Sequence, residues 1–487
     1  MEYKYGKYQN VNQETRWATM DEIKRSATYI NLSDDKYPTA GVPILSDGHT
    51  AYVDGADTHT LIFGATGSKK TRLFCMPVLN YFIKAGESFV VTDPKGELYN
   101  RTSGMAEQNG YKTVVLNFRD IGKGDMWNPL SLPYRIYHSD KRDDAVSMLN
   151  DFVATVAAPQ VQGTQDPFWS EMASALALAN LLLLMEAAEP DEVNVASLGA
   201  LCSNSSIEKL RKLSANMRLD TIAGLNYANT LMNPEKTMNC ILSSLYAMIR
   251  VFNIQKNLTN MLSGNTMDIT KFGREKTAVY LIIPDEKSTY HFLITTFIKQ
   301  AYEVLIAEAQ KEENRMLPIR VNFVLDEFCN LPKIPDMASM ISAARSRNMR
   351  YILVAQSLHQ LKGRYGEDAD TIKGNCDNWI FLTSKELDLL TEISSLCGTY
   401  YTPDGLQRRL ISVSELQRLD KAKGEALIMH SRQYPIISEI ADIDDYEMFK
   451  GYAPKPLADY EMPEAKMFNL EKFYRDVIRE ERPLPFS

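Results

Sequence analysis

The stretch LIFGATGSKKT, residues 61–71, decides the fold. It opens with three apolar residues, Leu61–Phe63, which predict a short buried strand. Gly64 and Gly67 then predict a tight turn, and a helix is expected to begin near Thr71. A loop that joins a strand to a helix is suited to anion binding, because its backbone N–H groups converge and the helix N-terminus is positive. The stretch therefore predicts a phosphate site at a strand end.

The turn fits the P-loop pattern G-x-x-x-x-G-K-[ST] at Gly64, Lys70 and Thr71. In this pattern the lysine reaches the β- and γ-phosphates of a nucleotide and the hydroxyl ligates Mg²⁺. We therefore predict ATP and Mg²⁺ as cofactors, with Thr71 as a metal ligand. The predicted nucleotide-binding residues are Gly64, Ala65, Thr66, Gly67, Ser68, Lys69, Lys70 and Thr71. The alternative is a chance turn.

Lys69 occupies the position at which the pattern has a glycine. A side chain there is expected to force a left-handed backbone conformation, which costs about 1–2 kcal/mol. The lysine also adds a positive charge beside the phosphates, which is expected to compensate part of that cost. We therefore expect nucleotide to bind and turnover to be the property that Lys69 affects.

A second motif supplies carboxylates. Val321–Leu325 is an apolar run that predicts a strand, and Asp326 and Glu327 follow it directly. In an open α/β sheet ligands bind at the carboxyl ends of the strands, where both motifs end. We predict that Asp326 holds Mg²⁺ through water and that Glu327 polarises the attacking water. The alternative is a strand that runs into an ordinary acidic loop, but two motifs at matching strand ends argue against coincidence.

Two further polar residues flank the next predicted strand, Tyr351–Ala355. Gln356 directly follows it and is placed to sense the γ-phosphate or to position the water. Arg345 precedes it and can reach a neighbouring subunit's nucleotide, where it would stabilise transition-state charge. The alternatives are a polar surface residue for Gln356 and a solvated basic helix end for Arg345. We predict Glu327, Gln356 and Arg345 as the catalytic residues.

Short β-branched runs alternate with helical stretches, which predicts an α/β fold with a mainly parallel sheet. Between residues 166 and 250 the strand signal vanishes and helical periodicity takes over, which predicts an inserted all-helical domain. We expect a P-loop domain over 56–165 and 251–450, an N-terminal segment 1–55 and a C-terminal tail 451–487. The predicted strands are Thr60–Phe63, Ser88–Thr92, Thr113–Leu116, Ala278–Ile283, Val321–Leu325, Tyr351–Ala355, Trp379–Thr383 and Ala426–His430.

The composition limits the classes of function and the cellular compartment that fit this chain. The formal net charge of −8 argues against a protein that coats nucleic acid over its whole surface, although a local basic patch or a pore remains compatible. The six cysteines are scattered, which indicates neither a zinc site nor a disulfide framework and favours the cytosol. The apolar run 172–188 is interrupted by Ser174 and Asn180, so it predicts a buried helix rather than a membrane span.

The phosphate loop, the Asp326–Glu327 pair and Gln356, together with further motifs, resemble those of the type IV coupling proteins, the TraG-like conjugative DNA-transfer ATPases. The resemblance runs from about Thr60 to Ile443. Its most specific elements are D-P-K-G-E-L at 93–98, W-N-P-L at 127–130, D-P-F-W at 166–169, D-E-F at 326–328 and A-Q-S-L-H-Q-L at 355–361.

The resemblance implies a RecA-like nucleotide-binding domain with a small all-helical domain and a homo-hexameric active state. It implies an ATPase that delivers single-stranded DNA with its relaxase, or protein cargo, to the channel subunits of a type IV secretion system. By motif, Lys70 and Thr71 would hold phosphate and Mg²⁺, Gln356 would sense the γ-phosphate, and Arg345 would act in trans. The resemblance assigns no chemical step to Asp93 or Lys95.

Coupling proteins of this family usually begin with a pair of membrane-spanning helices, and residues 1–55 contain none. We therefore expect either a soluble variant that a separate membrane subunit recruits or a trimmed chain. The expected location is cytoplasmic and peripheral at the inner face of the cell membrane. Two alternatives remain: a nucleotide-binding cargo receptor that hydrolyses ATP poorly, which Lys69 favours, and a soluble FtsK/HerA-type DNA translocase outside conjugation, which the missing helices favour.

Overall fold

The structure, a computed structural model, describes residues 15–161, 167–402, 404–459 and 461–486, with the side chains of 159–161 left aside. Asp166 of the D-P-F-W motif and residues 1–14 of the predicted N-terminal segment lie outside the described residues. The chain divides into two compact units. The sheet unit comprises the described residues of Met1–Arg119, Ile269–Ser288 and Ala301–Pro456, and the helical unit those of Asp120–Asp268, Thr289–Gln300 and Leu457–Ser487.

Fourteen strands occur in the described residues, all of them in the sheet unit. In chain order they are β1 Thr28–Asn31, β2 Pro43–Ser46, β3 Thr50–Val53, β4 Thr60–Phe63, β5 Ser88–Asp93, β6 Lys112–Asn117, β7 Thr277–Ile282, β8 Val321–Leu325, β9 Met349–Ala355, β10 Asn378–Phe381, β11 Thr399–Tyr401, β12 Gln407–Arg409, β13 Glu425–His430 and β14 Ile436–Glu439.

Nine of these strands form the central sheet, in the order β14-β13-β10-β4-β9-β8-β5-β7-β6. Every pairing from β10 to β6 is parallel, whereas β13 and β14 add an antiparallel hairpin at one edge. All residues of β4, β5, β7, β8 and β9 are buried, as expected for strands that are covered on both faces. The predicted α/β fold with a mainly parallel central sheet is confirmed.

Each of the eight predicted strands is present, with ends shifted by at most two residues. The sequence did not predict β14, the small antiparallel sheet β1-β3-β2 or the hairpin β11-β12. These strands are three or four residues long, which is too short for alternation of apolar and polar residues to stand out from the surrounding loops.

The described helices, in chain order, are α1 Met20–Ser26, α2 Met76–Ala85, α3 Glu97–Gln108, α4 Ser131–Tyr137, α5 Arg142–Val161, α6 Phe168–Ala187, α7 Val195–Leu201, α8 Asn204–Ser214, α9 Ile222–Leu231, α10 Glu235–Ile254, α11 Lys256–Met261, α12 His291–Gln310, α13 Met337–Ala344, α14 Leu358–Tyr365, α15 Asp368–Asn375, α16 Leu387–Leu396, α17 Val413–Leu416 and α18 Leu470–Ile478. A π-helical turn, Thr71–Cys75, leads directly into α2.

Helix α6 forms the core of the helical unit. It packs against α5, α7, α9 and α10, and most of its side chains are buried. Its Asn180 is buried because the amide has partners: the hydroxyl of Tyr227 donates to Oδ1 at 2.9 Å, and Nδ2 lies 3.6 Å from Cys202 Sγ. Of the described helices, α6 is the one that is long and apolar enough to cross a membrane by length and composition, and its burial matches the predicted core helix.

The helical unit is wider than the predicted insertion, because helices α4 and α5 precede residue 166 and belong to it. The W-N-P-L motif also lies here. Trp127 is buried edge-on against Phe297, with ring centroids 5.2 Å apart, and Asn128 Nδ2 donates to the carbonyl of Val193 at 2.7 Å. This motif therefore stabilises the helical unit from within. The predicted bounds of independently folding domains stay a prediction, which limited proteolysis can test.

Candidate functional site

The predicted phosphate loop runs from Gly64 to Lys70 at the carboxyl end of β4. Neighbouring strands fix its first residues: Gly64 N donates to the carbonyl of Ala355 at 3.2 Å, and Ala65 N donates to the carbonyl of Thr383 at 2.9 Å. The chain then enters the helical turn that begins at Thr71. The loop is therefore anchored at the edge of the sheet where parallel α/β proteins bind their ligands.

The loop folds tightly around the ammonium group of Lys70. Lys70 Nζ donates to the carbonyl of Gly64 at 2.5 Å and lies 3.4 Å from the carbonyl of Ala65. A Cβ on Gly64 would lie 2.4 Å from Ser68 Oγ, so any larger residue would displace the Ser68 side chain. Ser68 Oγ is buried and has no hydrogen-bond partner in the described part of the chain. The loop thus holds an inward cation and an unsatisfied hydroxyl, which fits a phosphate group.

Lys69 has φ +69°, the left-handed conformation that its place in the loop implies. Its charge is not directed at the loop: Lys69 Nζ forms an ion pair with Asp442 Oδ2 at 3.1 Å. Arg72 pairs with the same carboxylate. Partial burial alone would raise the pKa of Asp442, but the hydrogen bonds from Arg72 and Lys69 outweigh it and hold that pKa below its usual value. The expected extra charge beside the phosphates is therefore compensated by Asp442 in this structure.

Asp326 lies directly opposite the loop, at the end of β8. Thr71 Oγ1 donates to Asp326 Oδ2 at 2.9 Å, and Glu327 N donates to Asp326 Oδ1 at 3.0 Å. Thr92 Oγ1 donates to the Asp326 carbonyl at 2.8 Å, which fixes the backbone. Burial, followed by the nearby Glu327 carboxylate, raises the pKa of Asp326 to about 6. A hydroxyl and a carboxylate in contact are the oxygen ligands that Mg²⁺ accepts beside phosphates.

Glu327 and Gln356 form the second half of the cluster. Gln356 Nε2 donates to Glu327 Oε2 at 2.6 Å, and Asn330 Nδ2 donates to the same oxygen at 3.0 Å. Thr66 Oγ1 in turn donates to Gln356 Oε1 at 3.3 Å. Strand β9 lies between β4 and β8, so its terminal glutamine connects the phosphate loop to the acidic strand end. The structure thus brings together residues of the loop, Asp326, Glu327 and Gln356.

Arg345 does not belong to this cluster within one chain. It precedes β9, whereas Gln356 follows it, so the two residues lie at opposite ends of the strand. The Arg345 side chain is about half exposed and pairs with Asp377, with Nη1 2.8 Å from Oδ2. It is thus accessible to a second molecule rather than to the nucleotide site of its own chain.

The D-P-K-G-E motif forms the junction between β5 and α3. Asp93 ends the strand, and its Oδ2 accepts a hydrogen bond from Tyr99 N, 2.8 Å away, in the first turn of α3. Gly96 has φ +73°, a conformation that favours glycine. Burial raises the pKa of Asp93 from 3.8 to about 6. Asp93 therefore has a structural role at a helix N-terminus, while Lys95 is exposed.

Asp93→Asn is expected to raise thermal stability more at neutral pH than at acidic pH. Because the pKa of Asp93 is higher in the folded than in the unfolded chain, the folded state loses stability as the pH rises from about 4 to about 6. A neutral amide avoids this loss, which amounts to about 2–3 kcal/mol, and it can still accept the bond from Tyr99. Unfolding midpoints of both proteins at about pH 5 and about pH 7.5 test this. A difference between the two proteins that is the same at both values would contradict it.

Sequence reasoning missed Asp442 and a cavity of about 570 Å³ beside Lys69. The cavity lies in the sheet unit and is lined, among others, by Leu73, Ser438 and Ile440. Asp442 follows β14, far along the chain from the loop, in the acidic run D-I-D-D. No local pattern connects such distant residues, so only the fold shows that they meet.

Comparison with known proteins decides the family. Residues 16–421 match the model of the family described as "Type IV secretory system Conjugative DNA transfer". The chain belongs to this family. The match covers most of the chain, including the phosphate loop, Asp326, Glu327 and Gln356, and the helical unit up to Gln300.

Members of the family are distant relatives of this chain. It is 24% identical over 373 residues to a conjugal transfer protein TraG of Escherichia coli, which covers 72% of this chain and 57% of TraG. It is 23% identical over 423 residues to protein VirD4 of Rhizobium rhizogenes, which covers 83% of this chain and 58% of VirD4. The chain thus spans somewhat less than two thirds of the length of these relatives.

The fold is similar to solved structures of the plasmid coupling protein TrwB. The structure of TrwB with the non-hydrolysable ATP analogue ADPNP has a TM-score of 0.66 and 14% identity, and covers 95% of this chain and 100% of that chain. The structure of TrwB with ADP and Mg²⁺ has a TM-score of 0.64 and 14% identity, with 93% and 98% covered. The predicted RecA-like architecture is confirmed by this similarity, and the recognition of a type IV coupling protein by the family match.

Proposed function

We propose that this protein is an ATP-dependent coupling ATPase of type IV secretion, which delivers single-stranded DNA with an attached relaxase, or protein cargo, to the secretion channel. One observation carries the proposal: the Thr71 hydroxyl, directly after the phosphate loop, and the Asp326 carboxylate, at the end of β8, meet at 2.9 Å. Membership of the conjugative DNA transfer family gives this pair its context.

The residues present fit ATP and Mg²⁺. Lys70 and the unsatisfied Ser68 Oγ would bind the phosphates, while Thr71 and Asp326 offer the oxygen ligands of a divalent cation. When bound, Mg²⁺–ATP supplies the γ-phosphoryl group and a metal charge that stabilises its transfer. We place the base and sugar in the adjacent cavity of about 570 Å³. The relative TrwB was solved with ADPNP and with ADP and Mg²⁺, which supports the same cofactors here.

Glu327 and Gln356 act on the attacking water. The Glu327 carboxylate orients the water and accepts its proton, and Gln356 holds the carboxylate in place through its 2.6 Å bond. Gln356 also contacts Thr66 of the phosphate loop. A movement of the loop on nucleotide binding would therefore shift Gln356 and, with it, the Glu327 carboxylate. The glutamine can thereby report whether the γ-phosphate is present.

Arg345 acts on the nucleotide of a neighbouring subunit in a homo-hexamer. Its exposure and its distance along β9 from Gln356 support this role. Arg345→Ala is therefore expected to leave ATP affinity nearly unchanged and to reduce turnover about tenfold or more. Steady-state ATPase and equilibrium ATP binding measure the two effects, and Arg347→Ala, in the same short turn, is the matched control.

Mixing two impaired proteins tests the trans arrangement directly. Oligomers that combine Arg345→Ala with Lys70→Ala subunits contain some interfaces with an intact arginine and an intact phosphate loop, so activity should partly return. Absence of any recovery, or a large loss of ATP affinity in Arg345→Ala alone, would contradict the role.

Lys69→Gly is expected to raise turnover. The change removes a left-handed non-glycine residue, which costs about 1 kcal/mol, and loses a partly exposed ion pair with Asp442 of about 0.5 kcal/mol. Lys69→Ala loses the ion pair but keeps the backbone strain, so it serves as the control. Turnover measured in all three proteins decides the point: equal rates for wild type and Lys69→Gly would show that the loop tolerates lysine without cost.

We further propose that the protein is cytoplasmic and acts at the inner face of the cell membrane. Two other functions remain as alternatives. Lys69 favours a nucleotide-binding cargo receptor with slow hydrolysis, and a soluble FtsK/HerA-type translocase would act outside conjugation.

The oligomeric mass with ATP and single-stranded DNA separates the proposed motor from the cargo receptor. A motor of the proposed kind should form hexamers when both ligands are present, whereas a cargo receptor should stay monomeric under the same conditions. Light scattering after gel filtration, with the Glu327→Gln protein to prevent turnover, gives the mass. A monomer in every condition would count against the ring-forming ATPase.

A further inference from the structure

A lysine from a distant part of the chain lies beside the phosphate loop. Lys421 belongs to the turn that precedes β13. Its ammonium group approaches Gly67 in the middle of the loop: a Cβ on that glycine would lie 3.8 Å from Lys421 Nζ. Gly67 has φ +76° and no side chain, so nothing of its own separates the loop backbone from this lysine. Both segments belong to the sheet unit.

The turn that carries Lys421 is held by several contacts. Gly424 N donates to the Lys421 carbonyl at 3.3 Å, and Asp420 N donates to Glu425 Oε2 at 2.9 Å. Gly424 has φ +69°, and a Cβ there would lie 2.2 Å from the carbonyl oxygen of Ile440. The turn is thus fixed against Ile440, the residue after β14, and it presents Lys421 at a defined place near the loop.

The charge of Lys421 is uncompensated, in contrast to those of its neighbours. Lys69 is paired with Asp442, and Lys70 is buried against loop carbonyls. Lys421 is exposed, and within the described ranges no carboxylate lies within 4.0 Å of its ammonium group. A lysine beside an anion site, with no acidic partner of its own, is available for the anion.

We propose that Lys421 is a further phosphate-binding residue of the nucleotide site, and that its ammonium group contacts the terminal phosphates of ATP. This inference rests on the proposed function, because it assumes that nucleotide occupies the loop. The flexible four-carbon stem of lysine allows the ammonium group to move the short distance from the loop backbone to a bound phosphate. Lys421 thereby supplies the positive charge that Lys69, engaged by Asp442, does not.

Titration of a fluorescent ATP analogue and a fluorescent AMP analogue tests the inference. Lys421→Ala is expected to weaken ATP binding about five- to tenfold and AMP binding less than about twofold, since AMP lacks the terminal phosphates. Lys421→Arg should restore most of the affinity for ATP. The effect should shrink at high salt, because an exposed ion pair is screened. Lys112→Ala is the matched control: it removes an exposed lysine at the amino end of β6, the opposite edge of the sheet.

Two results would overturn the inference. Unchanged ATP affinity in Lys421→Ala would exclude a phosphate contact, and equal weakening of ATP and AMP would point to a disturbed turn instead. Lys70→Ala is titrated in parallel. If Lys70→Ala abolishes ATP binding while Lys421→Ala has no effect, the inference fails and the proposed function stands. If Lys70→Ala has no effect either, the nucleotide site itself is misplaced.

Discussion

Lys70→Ala is expected to reduce ATP hydrolysis by about 10²–10³-fold and to weaken ATP binding markedly. The ammonium group of Lys70 is buried in the loop, where it donates to the carbonyl of Gly64 at 2.5 Å. A phosphate that enters the loop would accept a charged hydrogen bond from this buried ammonium group, and such bonds are strong. Steady-state ATPase and equilibrium binding measure the two effects.

Lys84→Ala provides the control, because Lys84 lies in the last turn of α2, the helix that follows the phosphate loop. It removes the same charge at the far end of the same helix and should change neither rate nor affinity. Hydrolysis that survives Lys70→Ala at the wild-type rate would show that nucleotide does not bind at Gly64–Thr71.

Glu327→Gln is expected to reduce turnover by about 10²–10⁴-fold while ATP remains bound. The amide has nearly the shape of the carboxylate and can still accept the bonds from Gln356 and Asn330, so the local structure should persist. It cannot take a proton from the attacking water, which is the step assigned to this residue. Single-turnover hydrolysis and binding of ATP by the same protein separate the loss of chemistry from loss of affinity.

The control for this change is Glu313→Gln, an exposed carboxylate in the loop after α12. It should behave as the wild type in both measurements. If Glu327→Gln instead lost ATP affinity in proportion to its rate, Glu327 would be a binding residue and the water would be activated elsewhere.

The sequence was most informative where contacts are local. Each of the eight predicted strands is present in the sheet, since a buried parallel strand needs only its own residues to be recognised. The phosphate loop and the Asp326–Glu327 pair were found for the same reason: their chemistry depends on residues that are adjacent in the chain. That the two would meet followed from the rule that parallel strands end at one edge.

Contacts between distant residues could not be predicted in this way. Asp442 forms an ion pair with Lys69, and Lys421 lies beside Gly67. The segments that carry Asp442 and Lys421 have no motif that would predict their contact with the phosphate loop. No pattern in the sequence distinguishes the half-exposed Arg345 from Arg350, which is buried in β9, where it pairs with Glu87 and bonds to Asn322. A buried arginine is stable only with such partners, and the sequence does not show that Glu87 comes to lie beside it.

The central claim is that the cluster of Thr71, Asp326 and Glu327 is an ATPase site that responds to DNA. The most direct test is the steady-state rate of ATP hydrolysis with and without single-stranded DNA, for the wild type and for Glu327→Gln. We predict that DNA raises the wild-type rate severalfold and that Glu327→Gln hydrolyses ATP at least about 10²-fold more slowly than the wild type, with DNA and without it. A wild-type protein that binds ATP but hydrolyses it no faster than Glu327→Gln, with DNA or without it, would contradict the claim.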